Sequence, residues 1–218
     1  MRKNFDDDLQ GLSGELVKMA AGAEEAIRLS VRALTQKDAE LARAVIEGDG
    51  AIDDLEKSIE SRALKIIIKY QPVARDLRSV TCALKMITDI ERIADQASDI
   101  SSITLKFIGA EYIKDIEHIP AMAAHVCEMV HNSVRSFINR DETLARRIKS
   151  DDDVADAHFI AIKDELIAHL KKRPDAAEQI LYFMMIAKYL ERIGDHAVNI
   201  SEWVVFDLTG VHKNSRIL

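Results

Sequence analysis

Nearly the same eleven residues occur twice in this sequence, as ERIADQASDIS from Glu91 to Ser101 and as ERIGDHAVNIS from Glu191 to Ser201. In both copies an acid, an arginine and an isoleucine stand in the same order, and a second acid follows four residues after the first. Scattered leucines and isoleucines recur by chance in any helical protein, but an ordered set of charged residues rarely does. The pattern indicates an internal duplication, which has to be settled before any single structural element.

The duplication extends upstream of these two motifs. The segment SVRALTQKDAELARAVIEGDGAID from Ser30 aligns with SVRSFINRDETLARRIKSDDDVAD from Ser133, at an offset of 103 residues, whereas the two motifs are 100 residues apart. About three residues are therefore missing from one loop of the second copy. We expect the two halves of the chain to contain the same helices in the same order.

The composition is typical of an all-α protein. Only 8 Gly and 3 Pro interrupt 218 residues, and aromatic residues make up 5%. The two-residue alternation of β-branched and aromatic side chains that marks strands is missing. Apolar residues recur instead at spacings of three and four. This periodicity predicts six long helices, over residues 6–36, 38–70, 73–107, 121–139, 141–171 and 175–208, with a kink or fray at Gly48 and Gly50 and a loose tail at the C-terminus.

The six helices form two triplets that match each other. The stretch IGAEYIKDIEHIP, bracketed by Gly109 and Pro120, has the least periodic pattern in the middle of the chain, and we place a linker there. The predicted architecture is therefore two similar three-helix bundles in tandem, residues 1–110 and residues 111–218.

Charge and hydropathy exclude several classes of protein. The formal net charge of −7 argues against a general nucleic-acid reader, which needs a basic surplus. The longest apolar run, Ile180–Ala187, is far shorter than the roughly 20 residues of a membrane span. Cys82 and Cys127 lack a CxxC spacing, and the first ten residues lack the apolar segment of a signal peptide. We expect free thiols in a reducing compartment, and hence a cytoplasmic protein.

Acidic pairs with four-residue spacing recur on two helices of each predicted bundle. Residues four apart are neighbours on a helix, so like charges there repel unless a cation or water compensates them. Carboxylates are hard oxygen ligands that suit Mg, Ca, Mn or Fe. We therefore predict metal sites, with the acids on the helix side opposite the apolar core. The candidate ligands are Asp49, Asp53, Glu91, Asp95 and Asp99 in the first half, and Asp152, Asp156, Glu191, Asp195 and Asn199 in the second.

A solvated acidic face is the alternative interpretation of these pairs. In that case the arginines that directly follow each glutamate, Arg92 and Arg192, would neutralise the carboxylates without any metal. The retention of Glu, Arg, Ile and Asp in both copies favours a constraint on these positions. The sequence leaves both interpretations open.

A carboxylate-bridged di-iron oxidoreductase of the ferritin-like type is a second hypothesis for function. Glu128 and His131 have the E-x-x-H spacing of half such a site. A second E-x-x-H is missing, and the first copy has Arg28 at the position of His131. Phosphate-binding loops, nucleophile elbows and zinc-protease motifs are absent from the sequence. We therefore expect a protein that is not an enzyme.

The repeated ERI-x-D motif on the third helix of each bundle, with an acidic pair on the second helix, resembles the PhoU family. The resemblance covers roughly residues 5–207. It implies an all-α cytoplasmic protein, often a homodimer, that acts with the ATPase subunit of the phosphate ABC transporter and with the phosphate-sensing histidine kinase. Such proteins hold the phosphate-starvation response off when phosphate is plentiful. A net-negative protein of this kind would reach the inner face of the membrane through its protein partners rather than through lipid.

The resemblance also implies cofactors. Some members of the family carry multinuclear clusters of divalent or trivalent ions on their acidic motifs, and iron, zinc, magnesium or manganese are the expected metals. Ala94, Gln96 and Asp99 in the first copy stand where Gly194, His196 and Asn199 stand in the second. The two sites are therefore expected to differ in affinity or in metal.

Overall fold

The computed structural model describes residues 2–113, 118–212 and 215–216. The described residues form six long helices that confirm the all-α fold, together with two single 3₁₀ turns at Leu105–Phe107 and Pro174–Ala176. The helices are α1 (Arg2–Gln36), α2 (Ala39–Tyr70), α3 (Ala74–Thr104), α4 (His118–Asn139), α5 (Glu142–Lys172) and α6 (Ala177–Thr209). A two-residue antiparallel pairing of Val211–His212 with Ser215–Arg216 follows α6.

The turns that begin α2 and α5 show the duplication at atomic detail. Asp38 is the N-cap of α2 and its carboxylate accepts a hydrogen bond from the Leu41 backbone N–H at 3.0 Å. Asp141 caps α5 in the same way through Leu144, at 2.9 Å. Such a cap satisfies one of the free N–H groups of the first helical turn. The same local sequence has therefore produced the same turn twice.

The two bundles pack side by side around one continuous core. Within the halves, α1, α2 and α3 contact one another, and so do α5 and α6 with α4. Between the halves, α3 packs along α6 and α1 packs along α4, so that α2 and α5 lie on the outside. The Ser79 hydroxyl donates to the Asp207 carboxylate and the imidazole of His196 contacts Asp89, which fixes α3 and α6 antiparallel. Buried apolar side chains from all six helices join in a single cluster.

Three sequence expectations need correction. Helix α2 continues through Gly48 and Gly50 as one helix from Ala39 to Tyr70, so it does not fray at these glycines. Helix α4 begins at His118, three residues before the predicted start, and Ile119 in its first turn is buried. The described part of the tail is not loose, because Val211–His212 pairs with Ser215–Arg216 and the His212 ring stacks on Trp203 at 4.1 Å between centroids.

The predicted linker is short and partly packed. Tyr112 contacts the rings of Phe107 and Phe183, and its hydroxyl donates to the Leu34 backbone carbonyl. Residues 114–117, in the middle of that stretch, lie outside the described residues. The division at residue 110 falls between α3 and α4 and stays a prediction. Within the described ranges, no helix has both the length and the apolar character that crossing a membrane requires.

Candidate functional site: two carboxylate clusters

The predicted acids gather in two clusters, one in each half of the chain. The first cluster lies where α2 meets α3, and the second lies where α5 meets α6. Each cluster combines a pair from the outer helix with a pair from the central helix. The members are Asp49, Asp53, Glu91, Asp95 and Asp99 in the first cluster, and Asp152, Asp156, Glu191 and Asp195 in the second.

The first cluster has perturbed carboxyl groups on both of its helices. Burial raises the pKa of Asp49, and the negative charges of Asp95, Asp53 and Asp99 raise it further. The pKa of Glu91 is also raised, mainly by burial and next by Asp95, against the opposing effect of the Arg92 guanidinium. Carboxylates from two helices therefore lie close enough to repel one another.

The second cluster is perturbed more strongly. Burial, together with the charges of Asp156, Asp195 and Glu191, raises the pKa of Asp152 to about 6. The pKa of Asp195 is raised by burial and then by Glu191, while the ammonium of Lys188 lowers it. At neutral pH Asp152 therefore still ionises, but against an electrostatic cost.

The acids differ in exposure: Asp99, Asp156 and Asp195 are exposed, whereas the other members of the clusters are partly covered in the seams between helices. The side chain of Glu91 is only 18% exposed and that of Glu191 only 17%. Both glutamates belong to central helices that are covered on one side by the outer helix. Burial is the largest cause of the raised pKa of Glu91, as it is for Asp49, Asp152 and Asp195.

Among the described residues, one cation forms an ion pair with acids of each cluster. In the first, the guanidinium of Arg92 is 2.9 Å from a carboxylate oxygen of Asp95 and 3.4 Å from one of Glu91. In the second, the ammonium of Lys188 pairs with Glu191. The alternative interpretation named Arg92 correctly for the first half, but in the second half the ion pair to the glutamate comes from Lys188. One positive charge against four or five carboxylates leaves each cluster with a negative excess.

The lack of a side chain at Gly194 helps to explain why the pKa of Asp152 is so strongly raised. A Cβ atom on Gly194 would lie 3.1 Å from Oδ1 of Asp152, so this carboxylate rests directly over the glycine. The first copy has the buried Ala94 at that position. Without a Cβ in the way, the carboxylate of Asp152 can lie directly against α6 at this glycine.

The last polar position of each motif, Asp99 in the first copy and Asn199 in the second, contacts the other half of the protein. The amide of Asn199 donates to Oδ1 of Asp89 at 3.3 Å, beside the contact of 2.9 Å between His196 and the same carboxylate oxygen. At the equivalent place in the first copy, Asp99 lies near Tyr189, whose pKa is raised by burial and by that carboxylate. Asn199 and Asp99 therefore also connect α3 with α6.

Sequence reasoning missed two residues at the clusters. Glu56 raises the pKa of Glu91 and accepts a hydrogen bond from Thr88 at 3.3 Å. It stands seven residues after Asp49, on the same helix face, so the helical period could have found it. Lys188 stands three residues before Glu191, a spacing that is also readable from the sequence.

The clusters offer carboxylate oxygens, which are the ligands that hard cations prefer. As the side chains are placed, no group of three or more His, Cys, Asp or Glu among the described residues is positioned to hold an ion.

The residues of the di-iron hypothesis do not come together. Glu128 lines a small cavity of about 40 Å³ with Arg147 and Asp151, on the α5 side of α4. His131 lies in a different groove, against α1, where its Nδ1 atom is 3.3 Å from a carboxylate oxygen of Glu24. The E-x-x-H pair is therefore split between two surfaces.

Fold and clusters together define a class: all-helical proteins built from two three-helix repeats, each with carboxylates in the seam of its last two helices. The family model of the PhoU domain matches this chain twice, over residues 16–104 and 119–204. The chain belongs to the PhoU family. The two matched segments correspond to the two halves that the internal repeat predicts.

Curated relatives and solved structures agree with this assignment. Proteins named "Phosphate-specific transport system accessory protein PhoU homolog" are 33% identical in Clostridium acetobutylicum, with 96% of both chains covered, and 35% identical in Zymomonas mobilis, with 98% of this chain and 90% of that one covered. The crystal structure of PhoU from Pseudomonas aeruginosa superposes with a TM-score of 0.90 at 29% identity, over 95% of this chain and 100% of that one. The phosphate transport system regulatory protein PhoU from Streptococcus pneumoniae gives a TM-score of 0.88 at 25% identity, over 95% and 98%.

Proposed function

We propose that this protein is an accessory regulator of phosphate transport that restrains uptake and starvation signalling when phosphate is plentiful. The observation that carries the proposal is the full-length likeness to proteins named as accessory proteins of the phosphate-specific transport system, at 32–35% identity over 90% or more of both chains in three of them. The relatives are named as accessory or regulatory proteins, which supports a binding role rather than catalysis.

The proposed partners are the ATPase subunit of the phosphate ABC transporter and the phosphate-sensing histidine kinase, with a homodimer as the working form. Both partners belong at the inner face of the membrane. A chain of net charge −7 gains nothing from anionic lipid, so contact with proteins is the physically favoured way to reach that face.

We further propose that the two carboxylate clusters bind metal ions. The support is electrostatic: acids of two helices are held together with raised pKa values and only one compensating cation each. A protein that keeps such repulsion through a duplication retains a local cost to stability, which is characteristic of functional sites. Hard divalent or trivalent ions, such as magnesium, manganese or iron, fit oxygen ligands best, and zinc is also compatible.

Genetic complementation tests the regulatory role. A strain that lacks its own PhoU and carries a phosphate-starvation reporter should express that reporter even in high phosphate. This chain should restore repression, and the purified protein should retain the ATPase subunit or the kinase in a pull-down. A chain that restores no repression and binds neither partner, with or without metal, would refute the regulatory proposal.

Elemental analysis tests the metal proposal separately. Protein purified without chelator should contain bound metal, and Glu191→Ala with Asp195→Ala should remove the share held by the second cluster. The matched control is Glu60→Ala with Asp164→Ala, two exposed acids outside the clusters. All three proteins should still unfold cooperatively with native helix content, because none of these changes opens the apolar core. Equal metal content in the cluster variant and the control would argue that the acids do not bind metal.

A further inference from the structure

The second three-helix repeat contains a group of histidines that the first repeat lacks. His118 and His125 stand seven residues apart on one face of α4, and His158 faces them from α5. The equivalent positions of the first copy, 103 residues earlier, carry no histidine. Those residues are Glu15, Gly22 and Leu55.

The two repeats differ in which helix carries the larger side chain at the place where His125 lies. In the first copy, a Cβ on Gly22 would lie 2.6 Å from Cδ1 of Ile52, so the isoleucine fills the room at that glycine. In the second copy the position of Ile52 is occupied by the buried Ala155, while His125 replaces the glycine. In the first copy the larger side chain is therefore Ile52 on α2, whereas in the second copy it is the half-buried His125 on α4.

The hydrogen bond of His125 leaves one ring nitrogen available. Its Nε2 atom lies 2.6 Å from the backbone carbonyl oxygen of Asp151. A carbonyl oxygen only accepts, so Nε2 must carry the proton, and in the neutral ring Nδ1 then keeps its lone pair. Metal-binding histidines are commonly oriented in this way, with one N–H held by a carbonyl and the other nitrogen free for the ion.

His158 supplies a second nitrogen at suitable range. The ring centroids of His125 and His158 are 6.5 Å apart. Two imidazoles bound to one tetrahedral ion with metal–nitrogen distances of 2.0–2.1 Å have centroids roughly 5 Å apart, which small side-chain rotations can reach.

We propose that His125 and His158 bind one late first-row divalent cation of the zinc type between α4 and α5, with water in the remaining positions. Nitrogen ligands select this class of ion, whereas the oxygen-only clusters suit harder ions. Two protein ligands accord with the finding that no larger ligand group is preassembled among the described residues. The site lies on the α4 side of α5, opposite the α6 side that carries the acidic cluster, and it is independent of the proposed regulatory function.

Zinc titration in the presence of saturating magnesium tests the proposal, since magnesium occupies oxygen sites and leaves imidazoles free. By calorimetry, the full-length protein should have a zinc site that His125→Ala or His158→Leu weakens by about tenfold or more, whatever zinc the carboxylate clusters bind. Leucine is the residue of the first copy at this position, so His158→Leu should fold normally. His131→Ala, which changes an exposed histidine in another groove, should bind zinc like the unmodified protein.

Pulsed electron paramagnetic resonance of bound Cu²⁺ identifies the ligands directly. Modulation from imidazole nitrogens should be present in the unmodified protein and in His131→Ala, and it should fall in each of the other two variants. Unchanged zinc affinity and unchanged nitrogen modulation in both His125→Ala and His158→Leu would overturn the assignment, as would zinc binding that is lost equally in His131→Ala.

Discussion

Replacing Asp152 by asparagine should make the metal-free protein more stable at neutral pH. Asp152 is partly buried over Gly194 and faces the negative charges of Asp156, Asp195 and Glu191. Asparagine has nearly the same shape but no charge, so it removes the repulsion and the desolvation of a carboxylate while keeping the packing. Most substitutions at a well-packed position destabilise a protein, which makes a gain in stability a specific expectation.

The size of the effect follows from the raised pKa. A rise from 3.8 to about 6, at about 1.4 kcal/mol for each pKa unit, sets an upper limit of roughly 3 kcal/mol. Asp152 still reaches solvent, and screening by water and salt reduces the expected gain to about 1–2 kcal/mol. For a chain of this length that corresponds to an increase of about 2–8 °C in melting temperature.

The pH dependence of the unfolding free energy provides a second test of whether Asp152→Asn stabilises the protein. Because the folded state binds the Asp152 proton more tightly than the unfolded state, this group favours folding most below pH 3.8, and that contribution is lost as pH rises through about 6. Asparagine has no such dependence. The advantage of Asp152→Asn over the unmodified protein should therefore be full above pH 7 and shrink as pH falls from about 6 toward 4.

Urea unfolding in the presence of a chelator, at several pH values from 4.5 to 8 (roughly the window of this titration), measures the difference. Asp164→Asn, on the exposed side of the same helix, is the control and should change the unfolding free energy by less than about 0.5 kcal/mol. A loss of stability in Asp152→Asn at pH 7.5, or a gain that does not depend on pH, would refute the reasoning and mark Asp152 as a structural carboxylate.

Three further predictions concern other parts of the molecule. Gly194→Ala should displace Asp152 and lower the metal affinity of the second cluster several-fold with little effect on the first, as metal titration would show. Asp207→Ala should cost about 2–4 kcal/mol in urea unfolding, because this carboxylate is 1% exposed and holds Ser79 at 2.6 Å and Arg140 at 3.2 Å; a cost below about 0.5 kcal/mol would contradict that role. Burial raises the pKa of Cys82 to about 12, so this thiol should resist alkylation at pH 8 in the native protein and react after unfolding, and labelling before denaturant would count against its burial.

Much of the fold was readable because its determinants are local. The 3.6-residue periodicity and the shared motifs at Glu91 and Glu191 are properties of short segments, and they correctly predicted six helices in two matching sets. The errors arose where contacts between residues far apart in the chain determine where a helix begins or ends. The start of α4 at His118, for example, depends on the burial of Ile119 in the core, which no local pattern records.

The sequence by itself determined that the acids belong to four helices in two repeated sets, because residue spacing fixes which side chains share a helix face. Only the tertiary structure decided that those sets meet in the seams α2–α3 and α5–α6, and that Glu91 and Glu191 are largely covered there, each beside a paired cation. It also decided that the second repeat brings His125 beside His158. The physical reason is that pKa values and ligand sites depend on distances between helices, and those distances are set by which apolar faces pack together rather than by positions along the chain.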